Sequence, residues 1–252
     1  VTVAPSPPIE AETVENALLG GRVRLRQPAK GYRAGMDAAL LAAATAAEPG
    51  QRVIEAGCGA GAVLMQIAAR RPGVSLTGLE RDPAMAALAR ENAALNGAEA
   101  RILEGDVAAG FRALDLPPFD QAVSNPPFFD DPGALRAPAP GKRGAWMADD
   151  GLKAWTGFLL KAVREGGRIV VIHRADRLAD LLALLGETAG SFTVRGVHPY
   201  ADEPAKRVLV QAIKTGKAPL RLLPPLVLHD RSGAKHTAEA EAVLRGEAGL
   251  EW

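Results

Sequence analysis

The sequence predicts an α/β fold: a doubly wound, mostly parallel seven-stranded sheet whose last strand is antiparallel. Three observations predict it. From residue 52 onward, short β-branched runs alternate with segments of helical period. The first such run leads into a glycine-rich turn that opens a helix, and the final two runs have no helix between them. Strict β-then-α order requires crossover connections and hence parallel strands, whereas two consecutive strands pair antiparallel.

Each element follows from its residues. Val1 to about Glu12 is rich in Pro, Ala and Ser without hydrophobic period, and residues 1–15 are expected to be a disordered arm. One domain is expected over 16–252, with N- and C-terminal extensions. Val23 and Leu25 alternate with Arg22, Arg24 and Arg26, a short strand with one basic face. Met36 to Ala47 reads as a helix stopped by Pro49–Gly50. Strands are expected at Arg52–Ala56, Val74–Leu79, Arg101–Leu103, Phe119–Ser124 and Gly167–His173. Between them lie helices at Ala62–Arg71, Pro83–Leu95 and Leu152–Arg164. Asp82 is a good N-cap for the second of these, and Asn96–Gly97 a good stop. A helix at Asp176–Thr188 precedes strands at Phe192–Val197 and Arg207–Ile213. An apolar run, Leu220 to Leu228, and a short helix, Thr237 to Arg245, close the chain.

The bulk composition, 48% hydrophobic and 23% charged, is that of a soluble globular protein. The lone cysteine, Cys58, excludes an internal disulfide framework. With no apolar stretch of about 20 residues and no basic-then-apolar leader, a cytoplasmic location is expected. The four histidines show no metal-ligand spacing, so no metal is expected. Net charge is +1, but its distribution is uneven. Residues 16–36 hold Arg22, Arg24, Arg26, Lys30 and Arg33 with no acidic residue. Residues 205–229 hold Lys206, Arg207, Lys214, Lys217 and Arg221, again with none. If the fold joins them, these stretches form one phosphate-attracting face; otherwise they are solvated strand edges that resist aggregation.

The turn Glu55-Ala56-Gly57-Cys58-Gly59-Ala60-Gly61 lets backbone approach a ligand while a helix N-terminus directs N–H groups at it. Several nucleotide-type cofactors use such turns. Two further carboxylates sharpen the reading. Glu80 ends the next strand, where it can accept ribose hydroxyls, and Asp106, followed by Val107, ends the third, where it can accept from an adenine amine. Three carboxylates at successive strand ends mark the edge where open α/β sheets bind ligands.

In these residues the chain resembles the class I, Rossmann-like, S-adenosylmethionine-dependent methyltransferases, whose first motif reads acidic-x-Gly-x-Gly-x-Gly. The resemblance implies S-adenosyl-L-methionine as cofactor. It places Glu55 at the methionine ammonium, Gly57 and Gly59 against the cofactor, Glu80 on the ribose, and Asp106 with Val107 on the adenine. Asp37, Cys58, Gly61, Arg81 and Asn125 complete the expected cofactor set, Cys58 as small filler rather than nucleophile.

After the fourth strand comes Ser124-Asn125-Pro126-Pro127-Phe128-Phe129. Two prolines make a stiff extended loop. The Asn125 side-chain carbonyl and the Pro126 backbone carbonyl can both accept from one planar –NH₂, and Phe128 can stack on the ring that bears it. A conjugated nitrogen is a weak nucleophile, so fixing its N–H bonds to turn the lone pair toward the methyl supplies much of the rate. No strong base is needed. Asn125, Pro126, Pro127 and Phe128 are therefore the candidate catalytic residues.

This loop narrows the resemblance to amino-methyltransferases acting on adenine N6, guanine N2 or a glutamine amide. Flanking segments are similar to the bacterial valine-tRNA adenine-N6 methyltransferases: Gln27-Pro28, Gly31-Tyr32-Arg33-Ala34-Gly35-Met36-Asp37, Lys206-Arg207-Val208-Leu209-Val210 and Leu226-Val227-Leu228-His229-Asp230. That resemblance implies tRNA as partner, with Arg22, Arg24, Arg26, Lys30, Arg33, Lys206 and Arg207 as candidate RNA contacts. Phe128 stands where adenine-modifying members commonly have tyrosine, and guanine-modifying relatives often carry phenylalanine. The 130–150 stretch adds Lys142, Arg143 and Trp146 as candidate contacts in a loop over the substrate, or else is a surface insertion. Three rivals remain: a guanine-N2 rRNA enzyme, a glutamine-N5 protein enzyme, and a catalytically silent RNA-binding paralogue. Monomer and homodimer are both compatible with the sequence.

Overall fold

The computed structural model describes residues 12–30, 34–127, 148–231 and 233–252. Its centre is an eight-stranded sheet in the order β10-β8-β9-β7-β6-β3-β4-β5. The strands are β3 (Arg52–Ala56), β4 (Ser75–Glu80), β5 (Ala100–Glu104), β6 (Phe119–Ser124), β7 (Val163–Arg174), β8 (Ala189–His198), β9 (Arg207–Lys214) and β10 (Arg221–Val227). β9 runs antiparallel to β7 and β8, and the other neighbours pair parallel. The sheet thus has the doubly wound form, with β9 as the expected reversed strand, and one strand more than the seven expected. The extra strand is the apolar run at 221–227, which pairs parallel with β8 at the sheet edge. An edge is where Pro224 and Pro225 are tolerated, since no ladder partner needs their missing N–H groups.

Helices α1 (Met36–Ala44), α2 (Ala62–Arg70), α3 (Pro83–Leu95) and α6 (Ala238–Arg245) share one core with alternate residues of the strands, such as Val53, Leu76 and Val170. Helices α4 (Ala148–Ala162) and α5 (Leu178–Leu185) share the other, against Ile54, Leu79 and Ile169. Consecutive residues such as Val53 and Ile54 face opposite layers, the period-2 rule applied to a sheet buried on both faces. Asp82 caps α3 by accepting from the N–H groups of Ala84 and Met85, and Asn96 and Gly97 end it, as the sequence indicates.

Two expectations need correction. The helix beginning at Met36 ends at Ala44 rather than Ala47. Its last carbonyls are claimed from elsewhere in the chain: Ala43 by the Leu250 N–H, Ala44 by the Trp252 indole and Thr45 by Arg71. A strand was also missed. β1 (Thr13–Leu18) pairs antiparallel with β2 (Val23–Pro28), so residues 13–15, assigned to the arm by composition, are in a strand. Residues 1–11 lie outside the described residues.

This hairpin does not join the main sheet. Helix α3 takes the place of a neighbouring strand. Asn92 accepts from the Arg26 N–H at 2.8 Å and donates back to the Arg26 carbonyl at 2.8 Å. One turn along, Asn96 repeats the exchange with Arg24 at 2.9 and 2.7 Å. Two side-chain amides four residues apart thereby satisfy the ladder groups of β2. Asn92 is fully buried and also donates to the Ala60 carbonyl at 2.9 Å, tying the hairpin to the glycine turn.

Candidate active site

Strand register assembles the site. Ala56, the last residue of β3, lies opposite Leu79 of β4 on one side and Ser124 of β6 on the other. Glu80 lies opposite Glu104. Neighbouring strands are about 4.8 Å apart, so the turn at 57–61, Glu80, Asp106 and Asn125 all leave the same edge within a few strand widths. Ser124, fully buried, donates to the Ala56 carbonyl at 2.9 Å and joins the two loop origins.

Gly57, Gly59 and Gly61 have φ of 71°, 53° and 84°, the left-handed region where a side chain is strained. The turn is held by its own N–H groups: Gly57 and Cys58 both donate to the Leu79 carbonyl, at 2.8 and 3.0 Å. Gly61 precedes α2 and packs on Ala89. A Cβ on Gly57 would stand 2.2 Å from the Trp155 indole. The ring of this α4 residue lies on the turn. Trp155 is the feature of this edge that sequence reading missed.

Cys58 is buried, and a side chain at Gly78 would meet its Sγ at 2.6 Å, so the thiol fills the space left by that glycine. Burial first, then the charges of Glu55 and Glu80, push its pKa well up, keeping it protonated and unreactive.

Glu55 is 2% exposed. Burial first, then the charge of Glu80, raise its carboxyl well above the ordinary range, opposed by a hydrogen bond from the Leu64 backbone. Its Oε2 is buried without a hydrogen-bond partner among the described residues. A buried carboxyl with an open acceptor is what a cationic group would satisfy. Glu80 accepts from the Gly59 N–H through Oε2 and from the Asp82 N–H through Oε1, both at 2.9 Å. Each oxygen keeps a further lone pair for a hydroxyl donor. Its neighbour Arg81 is exposed. Asp106 is exposed and caps the short turn after β5 by accepting from Ala108 N at 2.9 Å, while Val107 is buried in the core beneath α4.

Asn125, Pro126 and Pro127 follow directly from β6, with Pro126 buried and its neighbours half-buried. Phe128, like Arg33, Lys142, Arg143 and Trp146, lies outside the described residues. Only the last three positions of the expected 130–150 loop are described, and they already belong to α4.

The described candidate RNA contacts are spread from one edge of the sheet to the other. Arg207 starts β9 at the active edge, and its guanidinium is ion-paired with Asp37 of α1 at 2.9 Å. Arg22 lies at the far edge, donating to the Gly246 carbonyl at 2.8 Å. Arg24 and Arg26 are exposed on β2 between the two edges and share the carboxylate of Glu15. The chain ends of the two basic stretches do meet at Asp37 and Arg207, but one stretch extends away along β2. Sequence separation concealed the Asp37–Arg207 pair, which joins two residues expected to serve different ligands. Lys30 and Lys206 carry no described ion pair. Among the described residues no helix is long and apolar enough to cross a membrane, and no His, Cys, Asp and Glu group could hold a metal ion.

The doubly wound sheet with a glycine turn, three strand-end carboxylates and an Asn-Pro-Pro loop on one edge defines an S-adenosylmethionine-dependent methyltransferase of class I. The family model "Methyltransferase small domain" matches residues 33–136. A tRNA1(Val) (adenine(37)-N6)-methyltransferase from Dickeya chrysanthemi (strain Ech1591) is 30% identical over 199 residues, 76% of each chain. The chain belongs to that family. A release factor glutamine methyltransferase from Deinococcus radiodurans is 40% identical over 88 residues, and the match spans 35% of this chain and 30% of that relative. Among solved structures, a predicted O-methyltransferase, protein Atu636 from Agrobacterium tumefaciens, is 29% identical with a TM-score of 0.69, covering 85% of this chain and 98% of that one.

Proposed function

We propose that the chain transfers a methyl group from S-adenosylmethionine to the N6 amine of an adenine in tRNA, the acceptor named for its Dickeya relative. The observation that carries this reading is the register of β3 and β6. Ala56 and Ser124 are partners, so Asn125-Pro126-Pro127 begins beside the glycine turn. When bound there, the cofactor supplies an electrophilic methyl on a sulfonium.

The chain's own residues do the rest. Glu55, with its open buried oxygen, receives the ammonium of the amino-acid end and ionises as it does so. Glu80, held rigid by two backbone N–H groups, accepts the ribose hydroxyls, and Asp106 accepts from the adenine amine. Arg81 and Asp37 flank this set. Asn125 and the Pro126 carbonyl accept the two N–H bonds of the target amine and aim its lone pair. Phe128 supports the base by stacking. The nitrogen becomes strongly acidic once methylated, so water suffices to remove its proton. A target base within a stacked stem or loop must be turned out to reach this loop.

The test is labelled-methyl transfer to total tRNA, followed by mass spectrometry of the nucleosides. N6-methyladenosine is expected, and Asn125→Ala is expected to lower turnover at least a hundredfold with cofactor affinity nearly unchanged, its part in the cofactor set being minor beside its part in holding the amine. N2-methylguanosine as product, or transfer only to a release factor, would replace the adenine assignment. Near-normal turnover in Asn125→Ala would remove the role given to that side chain.

A further inference from the structure

The opposite edge of the sheet, where β3, β4 and β5 begin, carries a cleft of about 950 Å³. Four arginines line it, Arg22, Arg52, Arg71 and Arg101, together with one carboxylate, Glu99. These four are widely separated in sequence and are brought together by the fold: Arg52 and Arg101 from the sheet, Arg71 from the end of α2 and Arg22 from the hairpin.

Their guanidinium groups are not locked into ion pairs, although the Asp120 carboxylate lies within electrostatic range of Arg52. Arginines elsewhere, such as Arg90, Arg164 and Arg231, pair with carboxylates, but none of the four has an ion pair among the described residues. Three are anchored instead on neutral groups, which orient a guanidinium without cancelling it. Arg22 donates to the carbonyls of Leu19 and Gly246, Arg71 to that of Thr45, and Arg52 to those of Pro117 and Pro118. Arg52 also lies 4.3 Å over the Phe119 ring. The crowding is felt by a fifth cation. The pKa of Arg70 falls to about 10, through burial first and then through the charges of Arg22 and Arg71. Oriented guanidinium groups in a cleft with a large positive excess suit phosphate oxygens.

A row leads out of this cleft. Arg22, Arg24 and Arg26 occupy successive exposed positions as β2 runs from the cleft toward the active edge. From Ser75 to Glu80, β4 takes five residue steps of ~3.3 Å, so the two edges are roughly 17 Å apart. Arg24 and Arg26 share the one carboxylate of Glu15, so the row keeps a net positive charge. A small anion would need the cleft alone, whereas a cleft continued by such a row fits a polyanion.

Resting on the RNA reading above, we propose that this cleft grips the sugar–phosphate backbone of the RNA substrate at a distance from the methylated base. The Arg22–Arg24–Arg26 row guides the intervening backbone. The enzyme therefore measures a stretch of folded RNA and not only the nucleotides around its target.

Arg101 tests this cleanly, since its side chain makes no described hydrogen bond or ion pair whose loss would disturb the fold. Arg101→Glu and, separately, Arg71→Glu would be compared with wild type for binding to a full-length tRNA transcript and to a short stem–loop around the methylated adenine. Fluorescence anisotropy across a KCl series reads the affinity, and calorimetry with the cofactor reports an intact fold. Expected is at least tenfold weaker tRNA binding and a salt slope shallower by about 0.9 per lost phosphate contact, with stem–loop and cofactor binding unchanged. Unchanged tRNA affinity and slope in both variants, while wild type still methylates tRNA, would overturn this inference alone. Equal weakening for both RNAs would also overturn it, by placing these arginines beside the target base. A wild-type enzyme that methylates a protein and binds no tRNA would overturn the RNA reading, and this inference with it.

Discussion

Replacing Gly57 with alanine isolates what the glycine turn requires. The residue has φ of 71°, and its added Cβ would stand 2.2 and 2.9 Å from two atoms of the Trp155 indole. The left-handed conformation costs an L-residue about 1–2 kcal/mol. The overlap costs a further ~1–3 kcal/mol, the usual range for forcing volume into a packed site. The ring cannot simply retreat, because Trp155 packs against the core between the sheet and α4. Gly57→Ala should thus lose about 2–5 kcal/mol, read as a lower urea midpoint. Shrinking the ring separates the two contributions. In a Trp155→Ala background the same glycine substitution should cost only its backbone strain, about 1–2 kcal/mol. If Gly57→Ala costs the same in both backgrounds, the indole is not what excludes a side chain at this position, and the reasoning fails.

Two further outcomes are expected. His173, 3% exposed near the end of β7, has its pKa lowered to about 4, by burial first and then by Arg177, Arg174 and Arg207. Because the unfolded chain takes up the proton near pH 6.5, this contribution is full above that pH and is lost as pH falls toward 4. It amounts to about 3 kcal/mol. Urea titrations at pH 7.5 and 4.5 should show a smaller acid loss in His173→Gln than in wild type, and parallel losses would contradict it. Glu55 acts in the opposite sense and is present in both proteins, so the comparison cancels it. Glu80→Ala should weaken cofactor binding by about 1.5–3 kcal/mol, roughly tenfold to more than a hundredfold, measured by calorimetry. Unaltered affinity would show that this carboxylate does not reach the ribose.

The parts of the fold that sequence reveals are those governed by local chemistry. β3, β6 and α3 have the bounds expected from their residues because a β-branched run, a diproline stop and an Asp cap each act within a few positions. The strand-end carboxylates were legible for the same reason, since a turn fixes what stands at its tip. What sequence hid depends on distant partners. α1 is shortened by the C-terminal tail, and an alanine-rich segment gives no sign of that contact. β1 reads Thr-Val-Glu-Asn-Ala-Leu, with two polar residues in its middle, and it holds as a strand only because β2 pairs with it. The apolar run at 220–228 contains Pro224 and Pro225, which a sheet interior would not accept and a border does, and nothing local says that it lies at a border. Trp155 and Gly57 are almost 100 positions apart, and no spacing rule connects them.

The double amide exchange between α3 and β2 gives the N-terminal hairpin a place in the enzyme's mechanics. Asn92 holds Arg26 with a pair of bonds and the glycine turn with a single one. A pull on the hairpin, such as an RNA strand would exert along its arginines, is therefore passed to the glycine turn by the Asn92 side chain. On the RNA reading proposed above, the outer grip on a long substrate and the inner seat of the methyl donor would hang from one hook.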